Sequence, residues 1–278
     1  MFNKKQSLSF GAGLHSQVQP LYIYFATANL GNGTVKETNR NLDFTRAVHA
    51  VIAYDVNLFN SVRIKTEVYY QYLYSIPVRS RPDYFSTVNL GADFTSPNID
   101  SLQSKGTGDN YGIELTLEKF YSKGYYFLVT ASVFESKYRG SDHVYRNTAF
   151  NGNYVFNALA GKEFKIGEKH TIAFDTKITY AGGKRYVPID LMTSIATQSE
   201  VRDGSVAYDY QYDPYFRLDI KPSYKLNTKR FTHELSVDIQ NITRHDNIFQ
   251  QQYDLNTQTI KTDYQLKFFV IPQYRMTF

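Results

Sequence analysis

Two pairs of neighbouring residues, Asp142-His143 and His245-Asp246, place a carboxylate beside an imidazole, the side chains that activate water in hydrolases. Adjacent residues of an extended chain point to opposite sides, so neither pair builds a base with its orienting group unaided. The run Tyr208, Tyr210, Tyr212 and Tyr215 offers aromatic faces that could stack on a sugar or a chelate, or form an aromatic girdle at a membrane boundary. His49 and His233 stand alone inside alternating segments and read as wall or interface residues rather than ligands. The chain has no phosphate-binding glycine loop, no His-Glu-x-x-His run and no nucleophile-elbow serine. With no cysteine at all, thiolate metal sites, disulfides and cysteine nucleophiles are excluded. No catalytic, cofactor-binding or metal residue is therefore assigned, and the expectation is a protein that is not an enzyme.

Whatever positions these groups is built from strand formers. Among 278 residues there are 25 Tyr and 20 Phe, with no Trp and three Met. The formal charge of +5 comes from basic residues dispersed among acidic ones, not from a block or stripe, which argues against nucleic acid as a partner. No stretch approaches the roughly 20 apolar residues of a membrane-spanning helix. A membrane barrel stays open, because its strands alternate and average out as hydrophilic.

Alternation with period two recurs along almost the whole chain. Between Val62 and Tyr74 one face carries Val62, Ile64, Thr66, Val68, Tyr70, Tyr72 and Tyr74, and the other Arg63, Lys65, Glu67, Tyr69 and Gln71. The same division separates Ile172, Phe174, Ile178 and Tyr180 from Thr171, Asp175, Lys177 and Thr179. An Arg or Lys on a lipid face costs about 2 to 4 kcal/mol near the midplane, so Arg63, Lys65, Glu67, Asp175 and Lys177 are expected to face a lumen.

Ten strands are expected, over 6-14, 42-57, 61-74, 109-121, 124-138, 152-165, 169-181, 214-226, 230-242 and 264-278. Short turns near Phe59-Asn60, Ser122-Lys123, Ile166 to Glu168 and Asn227 to Lys229 alternate with long loops, His15 to Asn41, Ser75 to Gly108, Arg139 to Asn151, Gly182 to Asp213 and Thr243 to Asp263. That asymmetry marks bacterial transmembrane barrels, whose turns are periplasmic and loops extracellular, and the strands are long enough to cross a bilayer. A secreted β-sandwich would show shorter strands and no systematic difference between its ends. The last segment places Leu266, Phe268, Val270, Pro272, Tyr274, Met276 and Phe278 on one face. It is either an amphipathic edge strand ending in Phe or, with Tyr274, Met276 and Phe278, the closing strand recognised by the barrel assembly machinery.

Several runs carry a family resemblance: Lys105-Gly106-Thr107-Gly108 with Asn110 to Lys119, Ser122 to Tyr126, Thr148 to Tyr154, Thr179 to Tyr186, Asp238 to Thr243 before Ile248-Phe249, and Pro272 to Arg275. Together they resemble the C-terminal part of TonB-dependent outer-membrane receptors, in the subgroup with a carboxypeptidase-regulatory-like domain ahead of the plug. The resemblance implies an all-β, transmembrane antiparallel β-barrel in the bacterial outer membrane, with these ten strands part of a 22-stranded barrel. It implies partners too: outer-membrane lipid, the barrel assembly machinery, and the plug domain and TonB system of the intact receptor, which imports a large scarce nutrient such as a metal chelate or a glycan. Residues 1-278 are expected to be the C-terminal barrel segment without its plug, Met1 to Leu14 being a strand entered partway. Tyr208, Tyr210 and Tyr212 are its possible ligand-loop aromatics. The alternatives are an autonomous ten-stranded pore or adhesin, or a ten-stranded outer-membrane protease that uses the Asp-His neighbours.

Overall fold

A computed structural model describes residues 5–29, 31, 33–59, 61–92 and 99–278. Asn60 of the first short turn and the residues before Lys5 lie outside them. Among the described residues, ten long strands form a sequential antiparallel path. They are β1 (Gln6–Gln17), β2 (Thr45–Phe59), β3 (Val62–Arg79), β4 (Leu102–Ser122), β5 (Tyr125–Arg139), β6 (Tyr154–Ile166), β7 (His170–Ala181), β8 (Tyr215–Asn227), β9 (Thr232–Gln240) and β10 (Phe269–Thr277). Each pairs with the next, and a short strand, Tyr145–Asn147, joins the sheet beside β5. The chain folds as an antiparallel β-barrel wall, as its alternation requires.

The register aligns the alternating faces from strand to strand. Phe10 pairs with Ile52, Ile52 with Val68, Val68 with Ile113, and Ile113 with Val133, making one continuous apolar row on one face. Phe10 is 74% exposed and Val133 67%, whereas the core residues of a soluble sheet would be covered. The opposite face carries a set of charged pairs. Arg63 donates from Nε to Asp55 at 2.8 Å and lies 3.8 Å from Glu118, Lys65 sits 2.8 Å from Glu67, and Lys225 is 3.5 Å from Glu163. An apolar outside and an ion-paired inside is the arrangement expected of Arg63, Lys65 and Glu67, and it inverts the pattern of a water-soluble barrel.

Turn chemistry fixes one end. Lys123 and Gly124 both adopt positive φ, 53° and 78°, between strands that meet at Ser122 and Tyr125, the backbone a two-residue hairpin needs to match strand twist. Beside it Lys119, on the apolar face, is 6% exposed yet satisfied. Its ammonium donates to the carbonyls of Phe120, Ser122 and Tyr125 and to the Ser122 hydroxyl, and lies 3.7 Å above the Tyr125 ring.

The strands differ from the expected ones chiefly between 75 and 108. β3 and β4 run past the rest of the wall, with irregular register at Ile76 and Pro77, because Ile76, Pro77 and Val78 are buried beneath loops. Gly106, which reads as a loop signal, is instead a crossing point: a Cβ there would lie 2.5 Å from Val78 Cγ1. Similarly, β1 continues to Gln17, taking His15 out of the expected loop, and residues 264–268 precede β10 because a loop hairpin, Ile248–Asp254 with Thr259–Tyr264, takes up their start.

Candidate ligand-binding site under the long loops

At the end opposite the short turns the loops build a second core. Tyr138 shares its face of β5 with Tyr126, the charged face of the wall, and is fully buried. Its hydroxyl donates to the Tyr84 carbonyl at 2.7 Å, and its ring meets the edge of Tyr208 at 6.0 Å. The loops therefore fold over the inner side of the wall.

Glycines let two of the family-like motifs touch. A Cβ on Gly182 would lie 1.7 Å from the Gly152 carbonyl oxygen, and one on Gly183 would lie 2.0 Å from the Tyr212 carbonyl oxygen. Any side chain at either position would separate the backbones. Across this contact Arg185 donates to the Asn151 carbonyl at 2.8 Å, Asn153 Oδ1 at 3.0 Å and the Asp209 carbonyl at 3.2 Å. Arg202 ties two further loops by donating to the carbonyls of Val187 at 2.9 Å and Gln251 at 3.0 Å while paired with Glu200 at 2.7 Å, and Glu200 accepts from the Tyr253 amide at 2.9 Å. Both guanidiniums are committed to loop carbonyls.

Between these clamps lies a cavity of about 210 Å³, walled by Tyr84, Asn89, Tyr186, Tyr208 and Tyr212. Tyr186 and Tyr212 stack at 4.2 Å with planes 8° apart. Burial pushes the phenols of Tyr84 and Tyr186 above their ordinary value, so both stay neutral. Asn89 is 9% exposed; its Oδ1 accepts from the Ala149 amide at 2.8 Å, while its Nδ2 is buried without a partner among the described residues. A buried amide left unpaired costs about 1 to 3 kcal/mol, so a ligand oxygen arriving there recovers that cost. Flat aromatic walls with one unspent donor suit a planar, oxygen-bearing group. The volume is below the roughly 300 Å³ of a complete ligand site, room for one end of a larger molecule and not for the whole.

Of the three tyrosines read as ligand-loop aromatics, Tyr208 and Tyr212 line this cavity and Tyr210 points outward, 52% exposed. Tyr212 is buried in loop packing against Tyr186, away from the apolar outer face. Tyr84 and Asn89 carry no sequence signal, since a lone Asn or Tyr in a long loop has no periodicity, and Arg185 falls inside the family-like run Thr179 to Tyr186 without a role that the run itself assigns. The Asp-His neighbours have other engagements. Asp142 is bonded by Arg146, at 2.7 and 2.9 Å, and by the Val144 amide at 3.2 Å. Burial alone would raise the Asp142 carboxyl, but these hydrogen bonds outweigh it and hold it below the usual carboxylate range. Asp246 pairs with Lys267 at 2.7 Å, and the His245 ring meets Phe216 edge-on. Among the described residues no three His, Asp or Glu side chains group as a metal cage. At the other end, Tyr274 (60% exposed), Met276 (48%) and Phe278 (96%) are exposed, with the Tyr274 hydroxyl 2.8 Å from His233 Nδ1.

No family model and no curated protein matches the sequence. Solved structures do match. The ferric yersiniabactin uptake receptor FyuA from Yersinia pestis superposes with a TM-score of 0.62 over 100% of this chain at 13% identity. The ferric-catecholate import receptor Fiu from E. coli K12, in its closed form, gives 0.60 over 100% at 11% identity. The likeness is one of fold, an antiparallel β-barrel wall. The chain spans about a third of each receptor's length, 36% of FyuA and 34% of Fiu.

Proposed function

We propose that the chain is the C-terminal part of the barrel of a TonB-dependent receptor in the bacterial outer membrane, and that the intact protein imports a large scarce nutrient, a metal chelate or a glycan. The observation that carries this reading is the continuous outward row from Phe10 to Val133 on a wall whose whole length follows receptors for ferric chelates. In this reading the apolar row contacts lipid, the charged face contacts the plug, and Tyr84, Asn89, Tyr186, Tyr208 and Tyr212 grip one end of the nutrient. Tyr274, Met276 and Phe278 serve as the strand end read by the barrel assembly machinery. The wall does no chemistry of its own, and uptake draws its energy from TonB. The carboxypeptidase-regulatory-like domain belongs to the same proposal.

The test is uptake by cells that express the receptor containing this segment, with and without TonB, using radiolabelled ferric chelates and oligosaccharides. Accumulation that disappears without TonB supports the proposal. Passive entry of small solutes that is indifferent to TonB would favour an autonomous pore, and peptide hydrolysis by the purified chain would favour the protease.

A further inference from the structure

On the charged, inner face near the long-loop end of the wall, His15 of β1 and His49 of β2 bring their Nε2 atoms to 3.2 Å, with ring centroids 4.4 Å apart and planes inclined by 26°. The face follows from the register: Leu14, its partner Val48 and Val48's partner Tyr72 point outward, so the next residues along, His15 and His49, point inward. Between the rings stands Gly13, the cross-strand partner of His49. A Cβ on it would lie 2.7 Å from His15 Nε2 and 2.9 Å from His49 Nε2, so the absence of a side chain there is what lets the two nitrogens approach.

We infer that His15 and His49 form a bis-imidazole clamp for a borderline divalent transition cation, on the inner wall and apart from the loop cavity. An ion about 2.0 to 2.1 Å from each of two nitrogens spaced at 3.2 Å sees them at an angle of about 100°, between the tetrahedral and the cis-octahedral values. Both Nε2 atoms serve only as unprotonated acceptors toward a metal, which removes the need for one ring to donate to the other. The planes are nearly stacked, so each ring turns about χ2, a soft torsion for histidine, to aim its lone pair at a shared ion. Gln71, opposite His49, accepts a hydrogen bond from Asn110 at 2.8 Å. The remaining coordination positions belong to water, giving an exchangeable site, and two neutral imidazoles rank Cu²⁺ above Zn²⁺ and Ni²⁺ and disfavour Mg²⁺ and Ca²⁺.

The test is a Cu²⁺ titration of the full chain folded in detergent micelles, followed by electron paramagnetic resonance, with heat-shifted gel migration as the check on folding. One Cu²⁺ per chain with hyperfine splitting from two nitrogens is expected. Substitutions His15→Asn and His49→Asn should each weaken binding at least tenfold, while His143→Asn and His170→Asn leave it unchanged. Gly13→Ala supplies a second variant that keeps both imidazoles: its Cβ meets only the movable ring ends, so the wall folds but the nitrogens part, and affinity falls at least fivefold. A spectrum showing one nitrogen or none, or wild-type affinity in His15→Asn, His49→Asn or Gly13→Ala, overturns the clamp.

Discussion

The wall and the loop core above it are held together in different ways. In the wall, backbone ladders supply the bonding, and each side chain need only belong to the right class for its face, as in the row from Phe10 to Val133. In the loop core there is little regular ladder, and named polar side chains reach backbone atoms of other loops: Asn89 to Ala149, Arg185 to Asn151, Arg202 to Gln251. Residue class is therefore enough for the wall, whereas the cap depends on individual residues.

The largest effect expected is in the cap. Tyr138→Ala empties a fully buried site beneath Tyr84 and Tyr208 and should cost about 3 to 5 kcal/mol, seen as early proteolysis of the loops in a urea series. If Tyr138→Ala loosened the loops no more than Tyr138→Phe, which loses only the bond to the Tyr84 carbonyl, the cap would not be the packed unit described. Next comes the wall: Val68→Arg should lower folding stability in phospholipid vesicles by about 2 to 4 kcal/mol, whereas Gln71→Arg, three residues on but on the inner face, should cost no more than about 1 kcal/mol, the worth of the hydrogen bond it gives up from Asn110. Equal effects at the two positions would abolish the distinction between the faces.

A smaller effect lies where the wall itself depends on residue identity. Tyr126 reaches across Gly161 on β6 to donate to Asp175 on β7 at 2.6 Å, and a Cβ at Gly161 would stand 2.2 Å from Asp175 Oδ1 and 2.3 Å from the Tyr126 ring. Gly161→Val should therefore cost about 1 to 3 kcal/mol in the same vesicle assay, and combining it with Tyr126→Ala should recover part of the loss. The smallest effect concerns pH. Because the folded state lowers the Asp142 carboxyl, its pairing with Arg146 contributes fully above the ordinary carboxylate range, near about 4, and is lost as pH falls through the lowered value. Protease clipping within 140–153 should rise on that descent by the equivalent of about 1 kcal/mol, and Asp142→Asn should flatten the dependence.

Much of the wall is legible from residues alone. Alternation from Val62 to Tyr74 marks both the strand and the face of Arg63, and Ser122-Lys123 marks a tight turn to within one residue of the Lys123-Gly124 pair that makes it, because these properties reside in neighbours along the chain. The extension of β3 to Arg79 was not legible, since Pro77 and Gly106 are ordinary loop signals until Val78 is seen packed against the glycine. The cavity was only half visible: the tyrosine run flags Tyr208 and Tyr212, but nothing near Asn89 announces that its amide meets residue 149, 60 positions away.

By itself the sequence determined a two-faced antiparallel wall, the approximate span of its strands and the face taken by Arg63, Lys65 and Glu67, because a period of two is a local property. Tertiary structure alone decided which loop residues meet over the inner side, that Gly152 and Gly182 touch, and that His15 and His49 converge across Gly13. Those outcomes depend on register between strands and on hydrogen bonds between distant loops, neither of which is encoded by the spacing of residues along one segment.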